Sequence, residues 1–151
     1  MASHRRAAAF GLVTALLGAM VAAPPAGAED PVCSPGVCGF FSPSGAVNCE
    51  MNVQRGAGIA DSAYCTWTDH VTAHSAILRP DGTLAVCVNP AAAADSACQS
   101  DPPLGQPALA AGDSAVLGPF RCVAQGAGIS CTTAPSGRGF VISAAGVVPI
   151  G

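Results

Sequence analysis

The sequence predicts an all-β fold: a small, disulfide-stapled antiparallel sandwich or open barrel of roughly six to eight short strands, with one short helix. Three observations carry that expectation. Segments such as residues 47–52 alternate apolar with polar residues, the period of a half-buried strand. Turn-forming runs of Pro, Ser, Asp and Gly separate these segments at short intervals. Eight cysteines, an even number, all follow an N-terminus of the exported type, and this combination reads as a disulfide framework.

The N-terminus reads as a cleavable secretory signal. His4, Arg5 and Arg6 form a basic start, and residues 7–23 carry no charge. Pro24-Pro25 breaks any helix, and Ala26-Gly27-Ala28 supplies the small residues of a cleavage site, so the mature chain is expected to begin at Glu29. The apolar run is short of the roughly 20 residues that a spanning helix needs, which disfavours an anchor. No Cys stands at the cleavage point, as a lipoprotein would require. Arg5-Arg6 raises the twin-arginine route, but Ala7-Ala8-Ala9 does not extend that motif, and the general secretory route is favoured. The expected organisation is a signal over 1–28, a Pro/Gly-rich arm over 29–39 and a single β-rich domain over 40–151.

Within the domain, Ser42-Pro43-Ser44-Gly45 turns the chain into a first strand, where Val47, Cys49 and Met51 fall on one side and Asn48, Glu50 and Asn52 on the other. After the loop at Arg55-Gly56-Ala57-Gly58, residues 64–68 return, with Cys65 and Trp67 on one face. Residues 74–88 predict a hairpin turned by Pro80-Asp81-Gly82. Leu84, Val86 and Val88 alternate with Ala85 and Cys87, apolar on both faces, which predicts a central strand. Asn89-Pro90 resembles a helix N-cap followed by Pro at the first helical position, with a short helix over 91–97. Residues 99–112 read as loop. Phe120 and Cys122, then Ile129 and Cys131, flank the turn at Gln125-Gly126-Ala127-Gly128, and residues 140–143 form a further strand after Ala134-Pro135-Ser136-Gly137.

Eight cysteines permit about 105 pairings. Bridges between neighbours that flank a turn, hairpin or short helix are expected: Cys33–Cys38, Cys49–Cys65, Cys87–Cys98 and Cys122–Cys131. A zinc site needs tight C-x-x-C pairs, and the sequence has none. Trp67, the single tryptophan, is expected to pack in the core over a disulfide.

The strings Phe41-Ser42-Pro43-Ser44-Gly45-Ala46-Val47-Asn48-Cys49, Gly118-Pro119-Phe120-Arg121-Cys122, Gly128-Ile129-Ser130-Cys131 and Gly139-Phe140-Val141-Ile142-Ser143 resemble a family of small secreted actinobacterial proteins of mycobacterial type, whose function is unknown. That family carries F-x-S-P-S-G-x-[IV]-x-C near its start and G-x-F-x-C, G-x-[ST]-C and G-F-x-[LI]-S near its end. The match covers most of residues 40–145 and departs over 68–110. The resemblance implies export, β structure and paired cysteines, and no particular chemistry.

Charge narrows the partners. There is no lysine, and once Arg5 and Arg6 leave with the signal, Arg55, Arg79, Arg121 and Arg138 face nine acids. Such a chain lacks the basic footprint that neutralises phosphates, so nucleic acid is excluded as a main partner and an anionic membrane surface is disfavoured. His70 and His74 would lie roughly 13 Å apart on a strand, too far to share an ion. Gly112-Asp113-Ser114 is similar to the nucleophile motif of chymotrypsin-like proteases, but Ala115-Val116-Leu117 follows in place of glycines and the chain is short for that fold. The sequence assigns no catalytic, cofactor-binding or metal-binding residue. The expectation is a secreted, non-enzymatic binding or structural module of the cell envelope or exterior, with an extracellular or envelope partner. The alternatives are a small serine hydrolase using Ser114, and an inhibitor-like module presenting the loop 99–112.

Overall fold

The computed structural model describes residues 32–69, 71–89 and 105–151. Among these the fold is all-β, two antiparallel sheets with no helix, and three disulfides lie wholly within them. The six-stranded sheet contains β1 (Val32–Ser34), β2 (Val37–Phe41), β3 (Val47–Asn52), β4 (Ser62–Thr68), β5 (Ala73–Leu78) and β6 (Leu84–Val88). The five-stranded sheet contains β7 (Ser114–Leu117), β8 (Phe120–Gln125), β9 (Gly128–Thr133), β10 (Gly139–Ser143) and β11 (Gly146–Ile150). In both sheets spatial order follows chain order, so each is an uninterrupted meander built from one half of the described chain.

The alternation expected from the sequence sets the register. On β3, Val47, Cys49 and Met51 face the core, opposite Trp67, Cys65 and Ala63 of β4. The sheets stack face to face, with β10 over β4 and β5 and β7 over β2. Phe40, Met51 and Leu78 from one sheet meet Phe120, Ile129, Phe140 and Ile142 from the other, all fully buried. Sheet-on-sheet burial of this kind is the main source of stability in a sandwich.

All three bridges join cross-strand partners: Cys33 opposite Cys38, Cys49 opposite Cys65, and Cys122 opposite Cys131. Each pair has its Cα atoms 4.1 Å apart, near the closer spacing of about 4.5 Å in antiparallel ladders. The two core bridges stack across the sandwich, with Cys65 Sγ 3.8 Å from Cys131 Sγ and Cys122 Sγ 3.7 Å from Met51 Sδ. None of these sulfurs carries a proton, so the contacts are dispersive.

Three features differ from the sequence expectation. The described residues hold eleven strands rather than six to eight, because β1, β7 and β11 are three to five residues long and too short to show a period. Residues from Val32 into the expected arm form the β1–β2 hairpin, and β2 is hydrogen-bonded into the sheet beside β3. β6, expected to be central, is an edge strand among the described residues, with Val86 46% and Val88 59% exposed. Its second apolar face consists of Ala85 and Cys87, a small residue and a bridged one, and needs no covering sheet. Residues 105–112 form no named strand, as expected of a loop, and are anchored to the sheet: Phe41 N–H donates to Pro107 O at 2.8 Å, Leu109 N–H donates to Phe41 O at 2.9 Å, and Leu109 is buried. The expected helix over 91–97 lies outside the described residues.

Candidate binding site

The outward positions of β3, β4 and β5 form cross-strand rows on the face of the six-stranded sheet that points away from the core. Glu50, Tyr64 and Ile77 make one row; Asn52 and Ser62 make the next, which Arg79 extends one residue past β5. The nine residues 53–61 joining β3 to β4 fold back along this face. Their bend uses a left-handed Gln54 (φ 51°) and two positive-φ glycines, Gly56 (143°) and Gly58 (89°). Gln54 N–H donates to Asp61 Oδ1 at 2.7 Å and clasps the base of the loop, while Ser62 Oγ–H donates to Ala60 O at 3.3 Å.

From this loop Arg55 reaches back to the sheet. Its Nη1 donates to Glu50 Oε1 and to Asn52 Oδ1, both at 3.0 Å, and Asn52 Nδ2 donates to the same Glu50 oxygen at 2.7 Å. The donor and acceptor ends of the Asn52 amide are fixed by these partners, since the reverse orientation would set like against like. The Glu50 side chain is only 8% exposed, and these hydrogen bonds stand in for the water it has lost. Arg55 is 40% exposed, so solvent screens the pair and its net worth is about 1 kcal/mol.

Between loop and sheet lies a cleft of about 520 Å³. Glu50, Tyr64 and Ile77 form its floor, Ile59 and Ala60 of the loop one wall, and Arg79 the far end. The floor residues are buried although they lie on the outer face. The arrangement can hold a small molecule between apolar side chains and fixed polar and charged groups, and no nucleophile–base pair stands among its lining residues.

The residues singled out from the sequence lie elsewhere. Cys87 is disulfide-bonded, and its expected partner Cys98 lies outside the described residues, as do Ala28, Glu29 and His70. Cys49, Cys65 and Cys131 bring their sulfurs within 4.8 Å of one another, but all three are in disulfides and offer no thiolate to a metal. Ser114 is on β7 beside Val123, on the outer face of the five-stranded sheet, whereas His74 is on the inner face of the other sheet. His74 stacks on Trp67, ring centroids 5.5 Å apart, and the two half-buried rings close the rim of the core. Among the described residues no hydrogen bond joins Ser114 to a histidine.

Sequence reasoning missed Glu50, Asn52, Arg55, Tyr64 and Arg79 as a group. One signal was available. In a chain without lysine, two of the four arginines beyond the N-terminal region flank the first predicted hairpins. Comparison with known families, curated proteins and solved structures returns no match for this chain.

Proposed function

We propose that this chain is an exported, non-enzymatic binding module, cut after Ala28, that works in the envelope or outside the cell and binds through the cleft on its six-stranded sheet. The observation that carries this reading is the cleft itself, a preformed hollow of mixed lining in which Ile59, Tyr64 and Ile77 stand beside the hydrogen-bonded group Glu50, Asn52 and Arg55, with a volume in the range of small-molecule sites. The bridges support an oxidising location. The motifs around Cys49, Cys122 and Cys131 support kinship with the small secreted actinobacterial proteins, and in this fold they occupy core strands β3, β8 and β9.

The test has two parts. N-terminal sequencing of material exported from an expressing host should start at Glu29, and a cell-bound, full-length product would overturn the export reading. Amide NMR shifts during titration with a mixed panel of neutral, cationic and anionic small molecules should cluster at the cleft. Labelling by a fluorophosphonate that is lost in Ser114→Ala would replace the binding reading with a hydrolase.

A further inference from the structure

The cleft carries a specific charge pattern. Beyond the N-terminal region the chain has four arginines and no lysine, yet Arg55 and Arg79 both line this one hollow. Their situations differ. Arg55 is bound to Glu50 and Asn52 and serves the loop. Arg79 makes no side-chain hydrogen bond or ion pair with any described residue. Its field reaches Asp81 only as a minor influence, and that carboxylate is already engaged by Thr83 N–H at 2.8 Å.

With Glu50 and Arg55 offsetting each other, Arg79 leaves the lining with one positive charge in excess. That favours a single anionic group rather than a polyanion. The apolar share of the lining, the exposed Ile59 of the loop beside Tyr64 and Ile77, favours an apolar body. The volume, about 520 Å³, falls within the roughly 300–1,000 Å³ of small-molecule sites.

We propose that the cleft takes a small organic carboxylate, its anionic end held by the planar donor fork of Arg79 and its apolar body laid against Tyr64 and Ile77; this rests on the cleft being the binding surface. A guanidinium meets a carboxylate through two parallel hydrogen bonds, a geometry that neither an amide nor an alcohol reproduces. The Glu50–Arg55–Asn52 network holds the adjoining wall in place before the ligand arrives, which lowers the ordering cost of binding.

The experiment titrates the oxidised, exported protein with hexanoate and benzoate, and with hexanamide and benzamide as uncharged partners of the same shape, following amide shifts. The carboxylates should shift residues 50–62 and 77–79 saturably and bind at least about tenfold more tightly than the amides, a difference of about 1.4 kcal/mol. Arg79→Gln should remove that preference without changing the melting temperature, Arg79→Lys should keep part of it, and Arg121→Gln on the other sheet should change nothing. If Arg79→Gln misfolds, the carboxylate–amide comparison in Arg79→Lys decides. Equal binding of acids and amides in the cleft would overturn the carboxylate assignment and leave the cleft reading standing. Shifts confined to other surfaces, or none with any probe, would overturn the carboxylate assignment, and the mixed panel then judges the cleft by itself.

Discussion

The two sheets follow the same meander plan and differ in how their strands are joined. In the five-stranded sheet three of the four connections are two residues long: Gly118-Pro119, Gly126-Ala127 and Ala144-Ala145. The longest connection of the six-stranded sheet, residues 53–61, returns to that sheet's outer face, binds Glu50 there through Arg55, and lines a cleft. Short turns leave a sheet with one buried face and one solvated one. A single longer loop gives the other sheet a second, smaller interior that is polar where the first is apolar. On the binding function proposed above, the five-stranded sheet is scaffold and the outer face of the six-stranded sheet carries recognition.

Five perturbations can break or sharpen that contrast, the two bridges first and the rest in falling order of effect. Replacing Cys49 and Cys65 together by alanine removes a bridge spanning 16 residues of sequence, worth about 3 kcal/mol by the chain-entropy argument, and its stacking on the bridge opposite. The measured loss of unfolding free energy should be about 3–5 kcal/mol. Removing Cys33 and Cys38 should instead raise hydrogen exchange in β1 and β2 with little change in the global midpoint, because β1 is a three-residue strand paired, among the described residues, only with β2.

Gly139→Ala tests the scaffold directly. A Cβ there would run into the Cys131 carbonyl oxygen and lie 2.8 Å from Thr132 Cα, so β9 and β10 would have to separate. A loss of about 3 kcal/mol in denaturant unfolding is expected. An unchanged midpoint would show that the five-stranded sheet yields where it is taken to be rigid.

Glu50→Gln acts on the other side of the contrast. It should cost about 1 kcal/mol, as fits a pair whose arginine is 40% exposed. It should also loosen residues 53–61, visible as faster amide exchange there and unchanged exchange in β8 and β9. A global loss as large as that of the core bridge would mean that the loop is part of the scaffold.

The smallest effect belongs to Asp81 in the β5–β6 turn. Its carboxyl is held below the ordinary value of 3.8, mainly because it accepts the Thr83 N–H. A depressed folded pKa stabilises above the unfolded pKa, and that contribution is lost as pH falls through the lower folded value. The denaturant midpoints of the wild type and Asp81→Ala should therefore differ above about pH 4 and converge below it. A gap that persists to lower pH would trace it to turn geometry instead of charge.

These contrasts also mark what the sequence discloses. The alternation of Val47, Cys49 and Met51, the Pro80-Asp81-Gly82 turn and the turn at residues 126–127 are local signals, and the strands and three bridges they imply are present. The edge position of β6 was not legible, since an apolar residue reads the same whether a neighbouring strand covers it or not. The cleft was less legible still. Glu50, Tyr64 and Arg79 are distant in sequence and meet only through the register of three strands, while Arg55 joins them through a loop whose direction depends on backbone angles at Gln54, Gly56 and Gly58.

The meander order bears on how the molecule is made. Each of the three bridges joins a cysteine to the next cysteine along the chain. A chain oxidised from its N-terminus as it emerges would meet the correct partner for each of these thiols before any wrong one. Assembly of these bridges then calls for an oxidase but no shuffling of mispaired intermediates, and the six-stranded sheet with its cleft can close before the last strands of its partner sheet have appeared.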